Sequence, residues 1–333
     1  MPSDVTRISV IDAHTAGEPL RLITRGLPPI PGTTILEKRR HMREHLDHLR
    51  TALMLEPRGH ADMYGCVLTE PCSEDGDFGV LFLHNEGYST MCGHGVIALA
   101  TIALETGLVK ADGPEKVLRL DTPAGRVTAV AHLSAGAVER VTFRNVPSFV
   151  LQRDRVVEPE GHGPFRYDVA FGGAFYAIGG TEHPLTPEHG STLARLGSEI
   201  KRRVVQQEQI EHPFEADLGF LYGTILTGPP MDATRHSRNV CIFAEGELDR
   251  SPTGTGVSAR AAIHYFRREI GMNEAIEIES ILGTTFTVRP VEEVSFGPHR
   301  AIIPEVAGRA FITGTSEFAL DPRDPLVHGF RIH

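Results

Sequence analysis

One motif occurs twice in this chain, and it limits the possible folds more than any other feature. It reads MCGHGVIALATIA from Met91 to Ala103 and PTGTGVSARAAIH from Pro252 to His264, and both copies fit G-x-G-V-x-A-x-A-x-I. The matching positions, Cys92 and Thr253, are 161 residues apart, close to half of the 333 residues. A solenoid would repeat at roughly 20 to 50 residues. The spacing therefore favours an internal duplication into two α/β lobes.

The segments around the two copies follow the same order of predicted elements. Strand patterns precede each copy, and apolar residues at helical spacing predict a helix within each one. A single charged helix is predicted over LEKRRHMREHLDHLRTALMLE, ending before Pro57, and a second amphipathic helix over GSTLARLGSEIKRRVVQQEQ. The predicted N-terminal lobe comprises residues 1–140, completed by 308–333, and the C-terminal lobe comprises 141–307.

Composition restricts the partners of the chain. The formal net charge is −10, and Lys and Arg do not form the patches that nucleic acid or an anionic membrane surface would require. The N-terminal stretch MPSDVTRISVIDAHTAGEP lacks the continuous apolar core of a signal peptide, and no run of about 18 apolar residues follows. We expect a cytoplasmic protein that acts on a small molecule, without nucleic acid or membrane.

Four cysteines are too few and too irregularly spaced for a disulfide framework or a metal knuckle. Cys66 and Cys241 lie in apolar strand-like runs that predict burial, and Cys72 lies in a predicted turn. Cys92 comes directly before a predicted helix, where backbone N–H groups and the helix dipole stabilise a thiolate. Its alternative role is that of a simple buried cysteine. No His or Cys spacing predicts a metal site.

A dinucleotide-binding loop is a rival interpretation, because both copies fit the glycine pattern G-x-G-x-x-A. In that fold the glycines follow the strand directly. Here the segments Tyr88–Cys92 and Leu248–Thr253 separate them from the preceding strands, and the pattern occurs twice. The match is therefore weak.

Five motifs together resemble the proline racemase family. They are MCGHG, DRSPTGTG, HTAGEP from His14, EPRGHADMYG from Glu56 and FGGAFYA from Phe171, and they follow the family order over most of the chain. The resemblance implies the α/β (α+β) fold of diaminopimelate epimerase. That fold has two pseudo-symmetric lobes, each a sheet wrapped around a central helix, with the active site between the lobes. It also implies catalysis without a cofactor, in a monomer or a homodimer.

The resemblance also implies roles for individual residues. Cys92 would be the catalytic base, and Asp249 would pair with the ammonium group of a cyclic amino acid. The remaining substrate contacts would come from the two helix starts, at Gly93, His94, Gly254 and Thr255. The motif residues His14 and His60 would either line the pocket or order a loop, and the His94 side chain would either orient the thiolate or take no part. The histidines His162, His183, His212 and His328 lie in loop-like contexts, which predicts surface positions.

Thr253 departs from the family's racemases and epimerases, which carry a second cysteine at this position. A threonine hydroxyl donates a proton to a carbanion far less readily than a thiol does, so two-base inversion is disfavoured. The resemblance then implies the family branch that dehydrates trans-3-hydroxy-L-proline, in which the departing hydroxyl and the α-hydrogen share one face of the ring. Thr253 would hydrogen-bond substrate or water, and a role as the N-cap of its helix is compatible with that. A 4-hydroxyproline 2-epimerase, a proline racemase and a non-catalytic amino-acid binding protein remain alternatives.

Overall fold

The computed structural model describes residues 5–332, and its internal contacts divide the chain into two compact units. Unit 1 comprises residues 1–90, 95–141 and 309–333, and unit 2 comprises 91–94 and 142–308. The short segment 91–94, which contains Cys92, therefore groups with the second half of the chain. The lobe boundaries given above stay a prediction.

Unit 1 alternates strands with three helices. Its elements are β1 (Thr6–Thr15), β2 (Glu18–Arg25), α1 (Ile35–His45), α2 (Asp47–Met54), β3 (Tyr64–Thr69), β4 (Phe78–His84), β5 (Tyr88–Ser89), α3 (Gly93–Glu105), β6 (Glu115–Thr122), β7 (Gly125–Ser134) and β8 (Ala137–Arg144), the last leading into the second unit. Strands β1 and β2 form a hairpin whose turn residues, Ala16 and Gly17, both have positive φ. Such a turn matches the twist of the paired strands.

Unit 2 repeats this order with two helices. Its elements are β9 (Phe149–Val157), β10 (Phe165–Phe171), β11 (Phe175–Gly180), α4 (Gly190–Gln207), β12 (Leu221–Gly228), β13 (Ser237–Phe243), β14 (Glu247–Asp249), α5 (Gly254–Phe266), β15 (Ile276–Glu279), β16 (Thr285–Phe296) and β17 (His299–Gly308). The last strand, β18 (Ala310–Leu320), belongs to unit 1 and pairs antiparallel with β1.

Strand pairing confirms the duplication. In unit 1, β3 runs parallel to β2, β4 antiparallel to β3, β5 antiparallel to β4, and β6 parallel to β4. In unit 2, the same pairings join β12 to β11, β13 to β12, β14 to β13, and β15 to β13. The two copies of the motif become α3 and α5, which occupy equivalent places in this order.

The repeated helices are buried on all sides, as their apolar sequences predict. Residues 93–103 of α3 and 254–263 of α5 are all buried. Helix α5 packs against strands β9, β10, β11, β16 and β17, so the sheet of unit 2 wraps around it. A helix held in this way has little freedom to shift, and its N-terminus is a fixed point on which a site can be built.

Two predictions are wrong. The single helix predicted before Pro57 is two helices, because Leu46 (φ −125°, ψ 10°) leaves the helical conformation. Asp47 then opens α2, with its carboxylate accepting hydrogen bonds from Arg50 and from the Tyr88 hydroxyl.

His212 is the second correction, because its ring is not a surface group. The ring packs against Phe171 and Phe296 with centroid distances of 5.1 and 5.5 Å. Its Nδ1 accepts hydrogen bonds from the backbone N–H groups of Phe214 and Glu215. Burial lowers the pKa of His212 to about 4, so the ring is neutral at physiological pH.

Candidate active site

The N-termini of α3 and α5 touch at a pair of glycines. A Cβ atom built on Gly93 would lie 2.5 Å from the Cα of Gly254, and one built on Gly254 would lie 2.6 Å from the Cα of Gly93. Only residues without a side chain permit this approach. The first backbone N–H groups and the positive dipole ends of both helices therefore lie near this contact, and such a place favours an anion such as a carboxylate.

Replacing Gly254 by alanine tests this contact. We expect the free energy of unfolding to fall by about 1–3 kcal/mol or more, because the new methyl group overlaps backbone that no side-chain rotation can move. Gly190→Ala is the matched control: Gly190 is also the first residue of a helix, and its Cβ would meet only Leu248 Cδ1, at 3.7 Å. Chemical denaturation of both variants measures the difference. Equal stability of the two variants would contradict the close approach.

Cys92 lies immediately before α3 and is buried, with 4% of its surface exposed. Its Sγ atom is 3.2 Å from Nδ1 of His94. The sequence left the role of the His94 side chain open, and the structure brings it to the thiol. An imidazole at this distance can accept the thiol proton or donate a hydrogen bond to the thiolate.

Asp249, Ser251 and Thr253 form a closed set of hydrogen bonds before α5. The Asp249 carboxylate accepts the Ser251 N–H at 2.7 Å through Oδ1 and the Thr253 hydroxyl at 2.8 Å through Oδ2. The Thr253 N–H in turn donates to Ser251 Oγ at 3.1 Å. All three residues are buried. Ser251 lies within the DRSPTGTG motif, but its hydrogen bonds were not predicted from the sequence.

Thr253 occupies the N-cap position of α5 without capping it through its side chain. Its backbone has φ 64° and ψ 95°, a left-handed conformation that is rare for a β-branched residue. Because a hydroxyl has one proton and Thr253 donates it to Asp249, the oxygen can only accept a further hydrogen bond. Thr253 therefore has the N-cap position that the sequence allowed, but its side chain bonds Asp249 and makes no hydrogen bond to the helix.

Thr255 is held by residues of the FGGAFYA motif. Its hydroxyl lies 2.6 Å from the hydroxyl of Tyr176, which is fully buried in β11. A Cβ on Gly172 would lie 2.2 Å from the Thr255 carbonyl oxygen, so the β10–β11 turn needs glycine to pass the first turn of α5. The motif therefore supports the start of α5, and Tyr176 was missed because a tyrosine in a strand predicts core packing.

The site predicted from the sequence falls within unit 2. It comprises Cys92, Gly93, His94, Asp249, Thr253, Gly254 and Thr255. The two motif histidines belong to unit 1, where His14 accepts a hydrogen bond from the Gly17 N–H and His60 lies in an exposed loop. Both have local contacts of the kind that order a loop.

The other cysteines lie where the sequence predicts. Cys66 and Cys241 are buried in β3 and β13, and Cys72 is exposed. Burial raises the pKa of the Cys66 thiol far above its usual range, which keeps this thiol protonated and unreactive. Within residues 5–332, no set of three or more His, Cys, Asp or Glu side chains is placed to hold a metal ion. None of the helices in that range has the length and hydropathy needed to cross a membrane.

These features define a class of duplicated α/β protein that places a buried thiol where two helix N-termini meet. The chain belongs to the proline racemase family, because the sequence model of that family, described as "Proline racemase", matches residues 10–331. The trans-3-hydroxy-L-proline dehydratase of Colwellia psychrerythraea is 47% identical over 97% of this chain and 92% of its own length. A protein of Burkholderia multivorans named 3-hydroxyproline 2-epimerase is 44% identical over 98% of both chains.

Among solved structures, the hydroxyproline epimerase of Agrobacterium vitis, with bound trans-4-hydroxy-L-proline, superposes with a TM-score of 0.93. The two proteins are 30% identical, and the match covers 98% of this chain and 95% of that one. This agreement confirms the α/β fold class expected from the five motifs.

Proposed function

We propose that this chain dehydrates trans-3-hydroxy-L-proline to pyrroline-2-carboxylate and water. The observation that carries the proposal is the difference between the two helix starts. One presents the thiol of Cys92 beside a histidine, and the other presents a threonine whose hydroxyl proton is committed to Asp249. Such a pair offers one base and no second proton donor, which suits elimination better than inversion at the α-carbon.

Substrate binding would use the charges of the site. The amino acid carboxylate would lie against the N–H groups of α3 and α5, at the positive ends of both helices. Its ring ammonium would face the Asp249 carboxylate and the lone pairs of Thr253 Oγ1. The carboxylate accepts a hydrogen bond from the Ser251 N–H at one oxygen and from the Thr253 hydroxyl at the other, and each oxygen has a further lone pair for the ammonium.

The proposed reaction moves one proton and breaks one C–O bond. The Cys92 thiolate takes the α-hydrogen, and negative charge develops on the carboxylate that the helix ends hold. The electron pair of the C–H bond then forms the ring double bond as the hydroxyl leaves C3. Because that hydroxyl is on the same face as the α-hydrogen, the thiol just formed can protonate it to give water and restore the thiolate. The enamine product then tautomerises to the cyclic imine.

The comparisons support this proposal and leave one competitor. Relatives at 43–47% identity, from Colwellia psychrerythraea to Burkholderia cenocepacia, carry the dehydratase name. The Burkholderia multivorans protein, at 44%, carries an epimerase name for the same class of ring. An epimerase needs proton delivery from the opposite face, and the residue that would face it in this proposal, Thr253, donates its hydroxyl proton to Asp249. The cytoplasmic location and the homodimer stay predictions from the sequence.

Proton NMR in heavy water tests the proposal directly. We expect purified enzyme to consume trans-3-hydroxy-L-proline and form the cyclic imine, with no build-up of the α-epimer. Incubations with trans-4-hydroxy-L-proline and L-proline serve as controls, since neither carries a leaving group at C3. Inversion of any of the three substrates without imine formation would establish the epimerase instead. If no substrate reacts although the Cys92 thiol is intact, the activity is refuted.

A further inference from the structure

A buried arginine on α5 donates hydrogen bonds to neutral side chains. Arg260 is 4% exposed, and its guanidinium donates to Asn239 Oδ1 at 2.9 Å and to Ser237 Oγ at 2.6 Å. Burial without a carboxylate lowers the pKa of Arg260 to about 10, and the group still carries its charge at physiological pH. Burying a cation without a charged partner is unfavourable. A role for Arg260 is therefore to be sought in the contacts that its guanidinium makes.

Asn239 connects Arg260 to the segment before α5 through hydrogen bonds of its side-chain amide. This residue of β13 is fully buried, and its Nδ2 donates to the Pro252 carbonyl at 3.0 Å. Arginine can only donate hydrogen bonds, and a carbonyl can only accept them. Only one orientation of the Asn239 amide therefore satisfies both neighbours, and Arg260 fixes that orientation.

The peptide that joins Pro252 to Thr253 is thus held at both polar ends. Its carbonyl accepts from Asn239, and its N–H donates to Ser251 Oγ. The next peptide continues into the helix, because the Thr253 carbonyl accepts the Val257 N–H at 2.7 Å. A β-branched residue at φ 64° is strained and needs surrounding contacts to keep it there.

We propose that Asn239, locked by Arg260, is a positioning residue that keeps Thr253 in its left-handed conformation and so aims the Thr253 oxygen and the first N–H groups of α5. The inference rests on the proposed function for the identity of the reaction. It assigns a role to two buried polar residues that lie outside the five motifs carrying the family resemblance. Neither residue contacts the reacting atoms in this proposal.

Asn239→Asp is the sharpest test. An aspartate has the same shape and pairs well with Arg260, so the variant should fold, but it has no donor for the Pro252 carbonyl. We expect kcat to fall about a hundredfold, because small misplacements of catalytic groups have effects of this size. The unfolding temperature should fall by no more than in the control below, because the ion pair with Arg260 offsets part of the cost of the unpaired Pro252 carbonyl. Thr224→Val is the matched control, since it also removes a buried donor to a backbone carbonyl, from Thr224 Oγ1 to Gly197 at 2.9 Å on α4. This control should lower the unfolding temperature and leave kcat within twofold of wild type.

A second pair of variants covers the case in which Asn239→Asp does not fold. Arg260→Lys keeps a donor for Asn239 Oδ1, whereas Arg260→Met removes it. The kcat of the lysine variant should therefore be at least tenfold higher than that of the methionine variant. Equal kcat of the two folded variants, or wild-type kcat of Asn239→Asp, would overturn the proposal.

A crystal structure of Asn239→Asp separates this inference from the proposed function. Thr253 should leave its φ of 64° when the donor is lost. If φ stays there, the positioning role is wrong whatever the enzyme turns over. If φ changes but wild-type enzyme does not dehydrate trans-3-hydroxy-L-proline, the positioning role holds and the proposed reaction is wrong.

Discussion

Cys92→Ala is expected to slow dehydration of trans-3-hydroxy-L-proline by roughly a thousandfold or more. A positioned general base contributes about 10² to 10⁴ in rate, and here the same sulfur would also return the proton to the leaving hydroxyl. His94 contacts the sulfur and would act through it, so the histidine is not expected to replace the missing thiolate. The loss should appear in kcat, since alanine leaves both helix ends in place to bind the substrate.

The measurement is imine formation by the variant, together with calorimetric titration of the substrate. Cys72→Ala is the control, because this thiol is exposed in a loop of unit 1 and should be dispensable. Substrate affinity within about fivefold of wild type would show that the site is still formed. If Cys92→Ala kept more than a tenth of the wild-type rate, the thiol would not be the base. If wild type and variant bound the amino acid equally without turnover, the chain would be a binding protein.

The duplication could be predicted from the sequence because one helical motif occurs twice at nearly half the chain length. Apolar residues on all sides of both copies predicted buried helices, and α3 and α5 are buried. The order of strands around them followed from the same pattern. The break at Leu46 could not be predicted, because the helical spacing of apolar residues continues through it. The hydrogen bond that Asp47 makes beyond the break comes from Tyr88, which is 41 positions away in the sequence.

The contacts of the site could be predicted only in part. A threonine before a helix fits the pattern of an N-cap. The same side chain can also donate a hydrogen bond to a nearby carboxylate. In the structure Thr253 has a positive φ, and its side chain bonds Asp249 and not the first turn of α5. The hydrogen bond from Arg260 to Asn239 joins a helix residue to a strand residue 21 positions away. No local sequence pattern indicates such a pair.

Thr253→Cys is expected to add inversion at the α-carbon to the activity of the enzyme. A thiol at the start of α5 could protonate the carbanion from the face opposite Cys92, which the threonine hydroxyl cannot do at a useful rate. Cysteine is not β-branched, so it fits φ 64° with less strain than threonine. Its weaker hydrogen bond to Asp249 should cost the dehydration reaction about tenfold to a hundredfold, since a bond to a charged group contributes about 1.5–3 kcal/mol.

The substrate for this test is trans-4-hydroxy-L-proline, because it has no hydroxyl at C3 and inversion is the visible outcome. In heavy water the wild-type enzyme should exchange the α-hydrogen, if at all, with retention, whereas Thr253→Cys should form the epimer with deuterium at the α-carbon. Thr253→Ser is the matched control, since it also removes the β-branch but keeps the hydroxyl for Asp249. It should dehydrate trans-3-hydroxy-L-proline and invert neither substrate. Absence of the epimer from a folded Thr253→Cys variant would show that a second thiol is not enough, and that the choice between elimination and inversion is made elsewhere in the site.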